Sequence, residues 1–357
     1  MTEAGGVGLV SETSDDVDAF METMVMPGHP LSLPRAVSLV RECYGFEARA
    51  VRLTGERDEN FRISAADGSE FVLKVAHPAE SPEVNNLINA ALLHLERHDP
   101  TLPCPRVLRD RHGDVQVRFI DDTGAARTAR LLTYLPGSPL GRATSSSRLR
   151  AACGGLGGRL TRALQTFDHP GAHRAVVWDV RHAAYLVRLL EQVPGFPCPA
   201  DAMAVLKRIV PRIKSGFPRL RQQIVHNDLN PLNLLVSDAG AVTGIIDFGD
   251  MTHTAVVADV AVIAAEHIPK DCTAGGSATA ESVSDIVNAY HESLPLLPAE
   301  LAILGTLVAA RLVANLVVHE WHVHRNPAGD HYRPLPADFI HARLQIAAEF
   351  SHEASTL

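Results

Sequence analysis

Lysine is scarce in this chain of 357 residues. Lysine and arginine together number 33, but only four of these positions are lysine, which leaves 29 arginines. Because arginine is the usual cation of this chain, each lysine that remains is a candidate functional residue. The four are Lys74, Lys207, Lys214 and Lys270.

Cysteine is also sparse and shows no pattern. The five cysteines are an odd number, are widely scattered and include no C-x-x-C pair. That distribution does not fit a disulfide framework or a zinc site. We therefore expect reduced thiols in a cytoplasmic protein. The cysteines are Cys43, Cys104, Cys153, Cys198 and Cys272.

The chain lacks the features of a nucleic-acid-binding or membrane protein. Its formal net charge is −8 and its pI is near 6.1, whereas a nucleic-acid binder would show a basic face. The most apolar segment, residues 301–318, is interrupted by Gly305, Arg311 and Asn315, so it predicts a buried helix. The N-terminus has no basic region ahead of an apolar run, and we expect no signal peptide.

The most informative segment that is present is a group of polar residues within 224–251. His226-x-Asp228 is followed by Asn233, five residues after the aspartate, and by Asp247-Phe248-Gly249 fourteen residues later. Phosphoryl transfer needs a carboxylate that orients the attacking hydroxyl, and an amide and a second carboxylate that hold Mg²⁺. Either motif alone would be an ordinary loop or turn. Both in this order predict a kinase-type site, with Asp228 as the catalytic residue and Asn233 and Asp247 as metal ligands.

Two short apolar segments between these motifs support that interpretation. Residues 234–236 and 242–246 are typical of strands, and the turn formers of residues 237–240 join them. A hairpin of this size would bring Asn233 and Asp247 to the same end of the strand pair. One metal ion could then contact both side chains.

Lys74 lies in the third of three strand-like segments, residues 47–53, 60–64 and 70–76. A lysine in an apolar strand usually marks an edge or a solvated face. Upstream of a kinase-type site, however, the sequence Phe-Val-Leu-Lys is like the context of the lysine that binds nucleotide phosphates. We predict that role for Lys74, and residues 54–58 are a candidate phosphate-covering loop.

Two further segments are predicted to contact the nucleotide or to orient Lys74. Ser81-Pro82-Glu83 opens a helix that runs to about residue 97, with serine as the cap and an acid in the first turn. In kinases this helix supplies a glutamate for the lysine, and Glu83 is the available acid. Thr133, Tyr134 and Leu135 end the sheet, where a hinge would present backbone groups to the base. The alternative is an ordinary turn at Pro136-Gly137.

Acidic residues after the motif are candidates for the acceptor side. Asp250 follows the metal-binding turn, and it either faces an acceptor cleft or braces the catalytic loop. Glu266, at the end of an apolar helical segment, faces the cleft or solvent. Asp259 in the same segment is predicted to accept hydrogen bonds from the catalytic-loop backbone. His319 and His322 have helical ligand spacing but no HExxH pattern, so we expect no metal there.

With these residues in view, the chain resembles the aminoglycoside phosphotransferase-like branch of the protein-kinase-like fold. Within that branch it is most similar to hydroxylysine kinase and its bacterial relatives. The resemblance covers about residues 34–350. It rests on residues 130–140, 164–170, 178–179, 226–233 and 245–251, which include the sequences RLLTYLPGSPL, HNDLNPLN and IIDFGDM.

The resemblance implies a bilobal α+β fold. We expect a flexible arm over residues 1–33, a small β-rich N-lobe over 34–136 that binds nucleotide, and a larger, mainly helical C-lobe over 137–357. The sequence of residues 15–24 predicts a short helix within the arm. Two positions depart from the family pattern. Asn227 stands where the family usually has glycine, and Asn86 stands where its helix glutamate aligns, so either Glu83 or Asn86 is left to partner Lys74.

The implied reaction is transfer of the γ-phosphate of ATP or GTP, with Mg²⁺, to a hydroxyl of a small cationic molecule. A hydroxy-amino acid such as 5-hydroxylysine is the favoured acceptor. An antibiotic O-phosphotransferase is an alternative with the same chemistry. A nucleotide-binding pseudokinase is an alternative of another class, and the intact positions Asp228, Asn233 and Asp247 argue against it. The sequence does not separate ATP from GTP.

Overall fold

A computed structural model describes residues 14–352, apart from positions 27, 29, 56, 273, 275 and 328–331. The helices are α1 (Ser14–Val25), α2 (Leu33–Tyr44), α3 (Pro82–His98), α4 (Ser147–Ala163), α5 (Tyr185–Glu191), α6 (Pro199–Gly216), α7 (Val256–Glu266), α8 (Ser277–Ser293), α9 (Pro298–Arg325) and α10 (Ala337–His352). The strands are β1 (Ala48–Leu53), β2 (Glu59–Ala65), β3 (Glu70–Val75), β4 (Val107–Leu108), β5 (Val117–Ile120), β6 (Ala126–Thr133), β7 (Ser138–Pro139), β8 (Gln222–Val225), β9 (Leu234–Val236), β10 (Val242–Ile245) and β11 (Thr252–Ala255).

The N-lobe is an antiparallel sheet with two helices. The sheet order is β1-β2-β3-β6-β4, and β5 also pairs with β6. Phe61, Leu73 and Leu131 are fully buried on neighbouring strands, and Leu39 of α2 packs with them in one apolar cluster. Because successive side chains of a strand point to opposite faces of the sheet, one set points into this cluster and the other set faces the cleft between the lobes. The predicted α+β, bilobal fold is confirmed.

Both N-lobe helices begin where their sequences contain capping signals. The Ser81 side chain accepts a hydrogen bond from the Val84 amide, and proline occupies the first turn of α3. Ser32 caps α2 in the same way by accepting from the Arg35 amide. Gly45 ends α2 in the left-handed region, with φ of 82°.

The C-lobe is built around the long helix α9. This helix packs against α5, α6, α7 and α10. By length and composition it is apolar enough to cross a membrane, but 83% of its most apolar window is buried inside the fold. That burial is typical of the core helix of a globular domain, as the sequence predicted for residues 301–318.

Two small sheets hold the catalytic segment in place. Strands β9 and β10 form the predicted hairpin, with Leu234 opposite Ile245, and β7 adds to its edge. Strand β8 precedes that hairpin in the chain and β11 follows it. The two strands pair with each other, with Thr252 opposite Val225. The segment between Val225 and Thr252 is therefore tied at both ends.

The observed elements differ from the expected ones in two places. The short helix expected over residues 15–24 is present as α1, but it is not loose, since its Val17 and Met21 are buried in the C-lobe core; residues 1–13 lie outside the described part of the chain. The sequence pattern of residues 181–192 predicts one helix, but the helix observed there is shorter. A 3-10 turn begins after Asp179, whose carboxylate accepts from the Arg181 amide, and α5 starts only at Tyr185.

Candidate active site

The catalytic loop places the Asp228 side chain at the centre of a polar network. Its Oδ2 atom accepts hydrogen bonds from Asn233 Nδ2 at 2.7 Å and from Asn230 Nδ2 at 2.9 Å. Its Oδ1 atom accepts from Arg311 Nη2 at 2.8 Å. These donors fix the orientation of a carboxylate that is 17% exposed.

Burial raises the pKa of Asp228 well above its ordinary value, and the nearby carboxylates of Asp250 and Glu266 act in the same direction. The guanidinium of Arg311 opposes this rise. A carboxyl with a raised pKa is a better proton acceptor than an ordinary aspartate once it is ionised. The arrangement suits a group that takes a proton from a hydroxyl.

Arg311 is the most important site residue that sequence reasoning did not assign. It lies on α9, is almost fully buried, and also contacts Glu266 Oε1 at 2.7 Å. Its Nη1 atom donates to the Trp178 carbonyl, and its guanidinium lies 5.1 Å from the centre of the Trp178 ring. The sequence signal for it was an arginine that interrupts the most apolar segment of the chain.

The structure gives Glu266 a definite partner. The carboxylate binds the Nε and Nη2 atoms of Arg311. Asp250 lies in a different environment. Burial raises its pKa, while the guanidinium groups of Arg174, Arg57 and Arg311 oppose that rise.

Helix α7 supports the catalytic loop through a hydrogen bond to the carboxylate of Asp259. Asn227 is fully buried and has φ of 64°, a left-handed conformation that asparagine tolerates better than most residues. Its amide donates to Asp259 Oδ1 at 2.9 Å, and Thr161 donates to the other carboxylate oxygen. The predicted contact between Asp259 and the catalytic-loop backbone is confirmed.

His226 joins the catalytic loop to the Asp247 turn. Its Nδ1 atom accepts from the Asp228 amide at 3.3 Å, so the proton resides on Nε2, which donates to the Ile246 carbonyl at 3.3 Å. Burial lowers the pKa of His226 to about 4, so the ring is neutral at physiological pH. It also packs edge-on against Phe248, with ring centres 4.8 Å apart.

Asn233 and Asp247 meet at one end of the hairpin, as their spacing predicted. The Ile246 amide donates to the Asn233 carbonyl at 2.9 Å, and this bond places Asp247, the next residue, close to Asn233. Asn233 Nδ2 donates to the Asp228 backbone carbonyl and to Asp228 Oδ2, so its orientation is determined and its Oδ1 atom is not used in these bonds. Asp247 has φ of 62°, and its carboxylate is 50% exposed.

These two residues fit a magnesium ion by their chemistry. An amide oxygen and a carboxylate are hard oxygen ligands of the kind that Mg²⁺ prefers. Lys74 lowers the pKa of Asp247 against the effect of burial, so the carboxylate is ionised at neutral pH. The half-exposed carboxylate leaves room for nucleotide and water on the same ion.

Lys74 reaches across the cleft to the C-lobe. Its Nζ atom lies 2.9 Å from Asp247 Oδ1 and 3.6 Å from Asp58 Oδ2. Burial acts to lower the pKa of Lys74, but these two carboxylates outweigh it and raise the pKa. Asp58 belongs to the predicted phosphate-covering loop. That loop needs glycine at position 55, since a Cβ there would lie 2.3 Å from the Asp58 carbonyl oxygen.

The predicted pairing of Glu83 with Lys74 is corrected by the structure. Glu83 is exposed in the first turn of α3, and Asn86 is exposed and accepts from Gln116. The helix instead turns Asn85 and Asn89 toward the sheet. Among the residues that the structure describes, the ion-pair partners of Lys74 are Asp58 and Asp247.

The buried asparagines of α3 bind a second cation, Arg130. This residue lies directly opposite Lys74 on β6 and is 2% exposed. Its guanidinium donates to Asn85 Oδ1 at 2.5 Å and to Asn89 Oδ1 at 3.5 Å. Helix α3 therefore contributes neutral oxygen atoms and no carboxylate, and the sheet contributes two adjacent cations.

The predicted hinge residues have different roles in the chain. The amides of Thr133 and Tyr134 donate to the carbonyls of Arg106 and Glu70 within the N-lobe. In the described part of the chain, the Leu135 amide has no such backbone acceptor. Its side chain faces β10, where a Cβ at Gly244 would come within 3.1 Å of it.

Together, the two lobes, the Lys74–Asp247 pair and the Asp228 network define a phosphotransferase of the protein-kinase-like fold. The sequence pattern described as "Phosphotransferase enzyme family" matches residues 49–296, well over half of the chain. The chain belongs to that family, and it is a small-molecule kinase that acts on a hydroxyl acceptor.

Comparisons with individual proteins agree with this assignment. The chain is 27% identical to hydroxylysine kinase of Danio rerio over 323 residues, which cover 85% of this chain and 87% of that protein. It is also 27% identical to hydroxylysine kinase of Mus musculus over 353 residues, 90% of each chain.

Among solved structures, an amicoumacin kinase has a TM-score of 0.66 at 18% identity, with 88% of this chain and 92% of that chain covered. A microcompartment-associated aminopropanol kinase has a TM-score of 0.61 at 18% identity, with 90% and 96% covered. At these identities the two structures support the fold only.

Proposed function

We propose that this protein transfers the γ-phosphate of ATP or GTP to the hydroxyl of a hydroxy-amino acid such as 5-hydroxylysine. The observation that carries the proposal is the position of Asp228, which Arg311 and Asn233 orient, while the backbone of Asn233 also binds the residue before Asp247, the partner of Lys74. In this arrangement a proton acceptor and a cation that can bind phosphate belong to one connected site.

The N-lobe and the hinge bind the nucleotide in this proposal. Lys74 binds the phosphates, and Leu135 offers its backbone to the base, with Thr133 and Tyr134 fixing the strand end that precedes it. Asn233 and Asp247 would hold Mg²⁺, which offsets the phosphate charge during transfer. The ion pair between Lys74 and Asp247 keeps both groups charged before the nucleotide binds.

Asp228 accepts the proton of the acceptor hydroxyl. Arg311, Asn230 and Asn233 hold its carboxylate in place, so the base is already positioned when the acceptor hydroxyl binds. Because burial raises the pKa of Asp228, the proton transfer is better matched to a weakly acidic alcohol. Glu266 acts through Arg311 and not on the acceptor directly.

The choice of acceptor rests on similarity and on charge. The chain matches hydroxylysine kinases at 27% identity over most of both lengths. Asp250 offers a carboxylate for a side-chain ammonium, and Arg174 and Arg57 lie near enough to influence its pKa. The same region therefore carries both signs of charge, as recognition of a zwitterionic amino acid requires.

Nucleotide consumption measured across a panel of acceptors tests the proposal. The panel contains 5-hydroxylysine, simple amino alcohols and aminoglycosides, each with ATP and with GTP. We expect turnover with 5-hydroxylysine. Efficient phosphorylation of kanamycin-type aminoglycosides with none of hydroxylysine would instead support an antibiotic phosphotransferase, and binding of nucleotide without turnover of any acceptor would support a pseudokinase.

The Asp250→Asn variant tests the acceptor subsite. Loss of a carboxylate that meets a desolvated ammonium costs roughly 2–5 kcal/mol, so the KM for hydroxylysine should rise strongly while the nucleotide KM stays constant. If Asp250 only braces the catalytic loop, the variant will lower kcat for every acceptor alike.

A further inference from the structure

Three metal-ligating side chains meet on the C-lobe outside the proposed active site. They are Cys198, just before α6, Asp201 in the first turn of α6, and His341 on α10. Helices α6 and α10 carry none of the proposed catalytic or nucleotide-binding residues. We propose that this cluster is a binding site for a divalent transition-metal ion of the zinc class.

Two of the three distances between the ligand atoms are close to those around a tetrahedral ion. His341 Nδ1 lies 3.7 Å from Cys198 Sγ and 3.4 Å from Asp201 Oδ2, and the three ligand atoms lie within 4.8 Å of one another. Zinc bonds of about 2.3 Å to sulfur and about 2.0–2.2 Å to nitrogen and oxygen give ligand–ligand separations of about 3.4–3.6 Å. The cluster needs little rearrangement to hold such an ion.

This cluster differs from a nucleophilic triad because its thiol and its carboxylate face the same nitrogen of the histidine ring. In a triad, the thiol and the carboxylate bind opposite nitrogens of the imidazole, so that a proton can pass between them. Here both face Nδ1 of His341. One nitrogen has either one proton or one lone pair, so it cannot satisfy both neighbours by hydrogen bonding. A cation between the three groups satisfies all of them.

Gln345 faces the far side of the His341 ring and can support the tautomer that a metal ligand needs. Gln345 Nε2 lies 2.9 Å from His341 Nε2 and donates to it, which leaves the ring proton on Nδ1. A half-turn of the amide brings its carbonyl oxygen to the ring, where it accepts the Nε2 proton and frees Nδ1 for a metal ion. Metal-bound histidines almost always donate their second ring N–H in this way.

The backbone at Cys198 is held in an unusual conformation. Cys198 has φ of 56°, and among the described residues only Asn227 and Asp247 share a positive φ without being glycine. Those two belong to the proposed active site, where the conformation places a functional side chain. At Cys198 it places the thiol just before the N-terminus of α6, within reach of Asp201 and His341.

The ligand set selects the kind of metal. A thiolate and an imidazole favour zinc-class ions over Mg²⁺ and Ca²⁺, and one carboxylate completes three protein ligands. Asp201 and His341 are about half exposed, with side-chain exposures of 54% and 49%, so solvent can supply the fourth ligand. Spacing along the chain does not indicate this site, because His341 is far from Cys198 in the sequence.

Cobalt titration of the tag-free, full-length protein tests the proposal without reference to activity. Co²⁺ bound to a thiolate gives a charge-transfer absorption in the near ultraviolet, which oxygen ligands at the active site do not give. The titration uses a phosphine reductant, so that no added thiol competes. We expect the band to saturate at about one ion per chain and to be lost in Cys198→Ser.

Two further variants and one control complete the test. His341→Ala should weaken or abolish the band, while Cys43→Ser, which alters a half-buried thiol in the N-lobe, should leave it unchanged. Zn²⁺ should raise the melting temperature of the wild type and of Cys43→Ser but not of Cys198→Ser, and equal melting temperatures without metal would show that the variants are folded. Absence of the band in the wild type, or its persistence in Cys198→Ser, would overturn the proposal.

Discussion

At the scale of single residues, Arg130 is the largest departure from the expected nucleotide site. It is a buried cation opposite Lys74, and in the described part of the chain its hydrogen-bond acceptors are the amide oxygens of Asn85 and Asn89. Burial lowers its pKa, and the more distant carboxylates of Asp58 and Asp247 partly compensate. A buried charge without a close counter-ion is costly, and an anionic ligand would relieve that cost.

Replacing Arg130 with methionine should therefore weaken nucleotide binding more than acceptor binding. The reason is the loss of one of two adjacent cations on the face of the sheet that carries Lys74. Steady-state kinetics should show a higher nucleotide KM with little change in acceptor KM. The matched control is Arg127→Met, on the same strand, whose guanidinium pairs with Asp121 and Glu59. That variant should lose stability but keep its nucleotide KM, and an equal effect of both variants on nucleotide KM would refute the role of Arg130.

The metal ligands lead to a second prediction at this scale. Asp247→Asn removes the only charged member of the Asn233–Asp247 pair and also the partner of Lys74. Because Mg²⁺ prefers a charged oxygen ligand, nucleotide binding should become weaker and less dependent on Mg²⁺. Calorimetric titration of nucleotide with and without Mg²⁺ measures both effects. An unchanged Mg²⁺ dependence would place the metal on other residues.

At the scale of elements, α9 connects the core of the C-lobe with the chemistry. Arg311 extends from this helix to Asp228 and Glu266, and its planar guanidinium contacts both carboxylates at once. A lysine keeps the charge but not the planar fork. The element thus positions the base through a single side chain.

We expect Arg311→Lys to fold and to lower kcat by roughly 10²-fold, because small displacements of a catalytic group have effects of that size. Arg311→Met should in addition move the acidic limb of the kcat profile to higher pH, since Arg311 opposes the raised pKa of Asp228. Arg343→Lys is the control, because Arg343 is also a buried arginine but donates to the carbonyls of Ile268 and Pro269. Wild-type kcat in Arg311→Lys would contradict the account.

The same elements show what could be predicted from the sequence. The hairpin with Asn233 and Asp247 was predictable because its strands, turn and polar ends lie within one short segment. The contacts of Arg311 and Arg130 join residues far apart in the chain, and spacing carries no information about them. Glu83 was assigned wrongly for the same reason, since only the packing of α3 shows that Asn85 and Asn89 face the sheet.

At the scale of the whole molecule, a buried histidine couples stability to pH. His267 is the C-cap residue of α7, and its Nε2 atom donates to the Leu229 carbonyl at 3.3 Å. Burial lowers its pKa from 6.5 to about 4. The unfolded chain therefore binds more protons than the folded chain between these two values, and stability falls as the pH drops from 6.5 to 4.

His267→Gln keeps a donor for the Leu229 carbonyl but removes the titration. The dependence of unfolding free energy on pH between 6.5 and 4 should be shallower in this variant, by up to about 3 kcal/mol over the range. Urea denaturation at several pH values measures it. Asp259, whose pKa burial raises to about 6, contributes with the opposite sign in both proteins and cancels from the comparison. Identical slopes would show that His267 is not buried in its neutral form.

The most direct test of the central claim is the mass of the acceptor after reaction. The wild-type protein and the Asp228→Ala variant are each incubated with 5-hydroxylysine, Mg²⁺ and either ATP or GTP, and the amino acid is analysed by mass spectrometry. We expect the wild type to add one phosphoryl group and the variant to add none while still binding nucleotide, because a positioned base contributes roughly 10²–10⁴-fold in rate. Phosphorylated hydroxylysine at wild-type rates from Asp228→Ala, or none from the wild type with either nucleotide, would contradict the account.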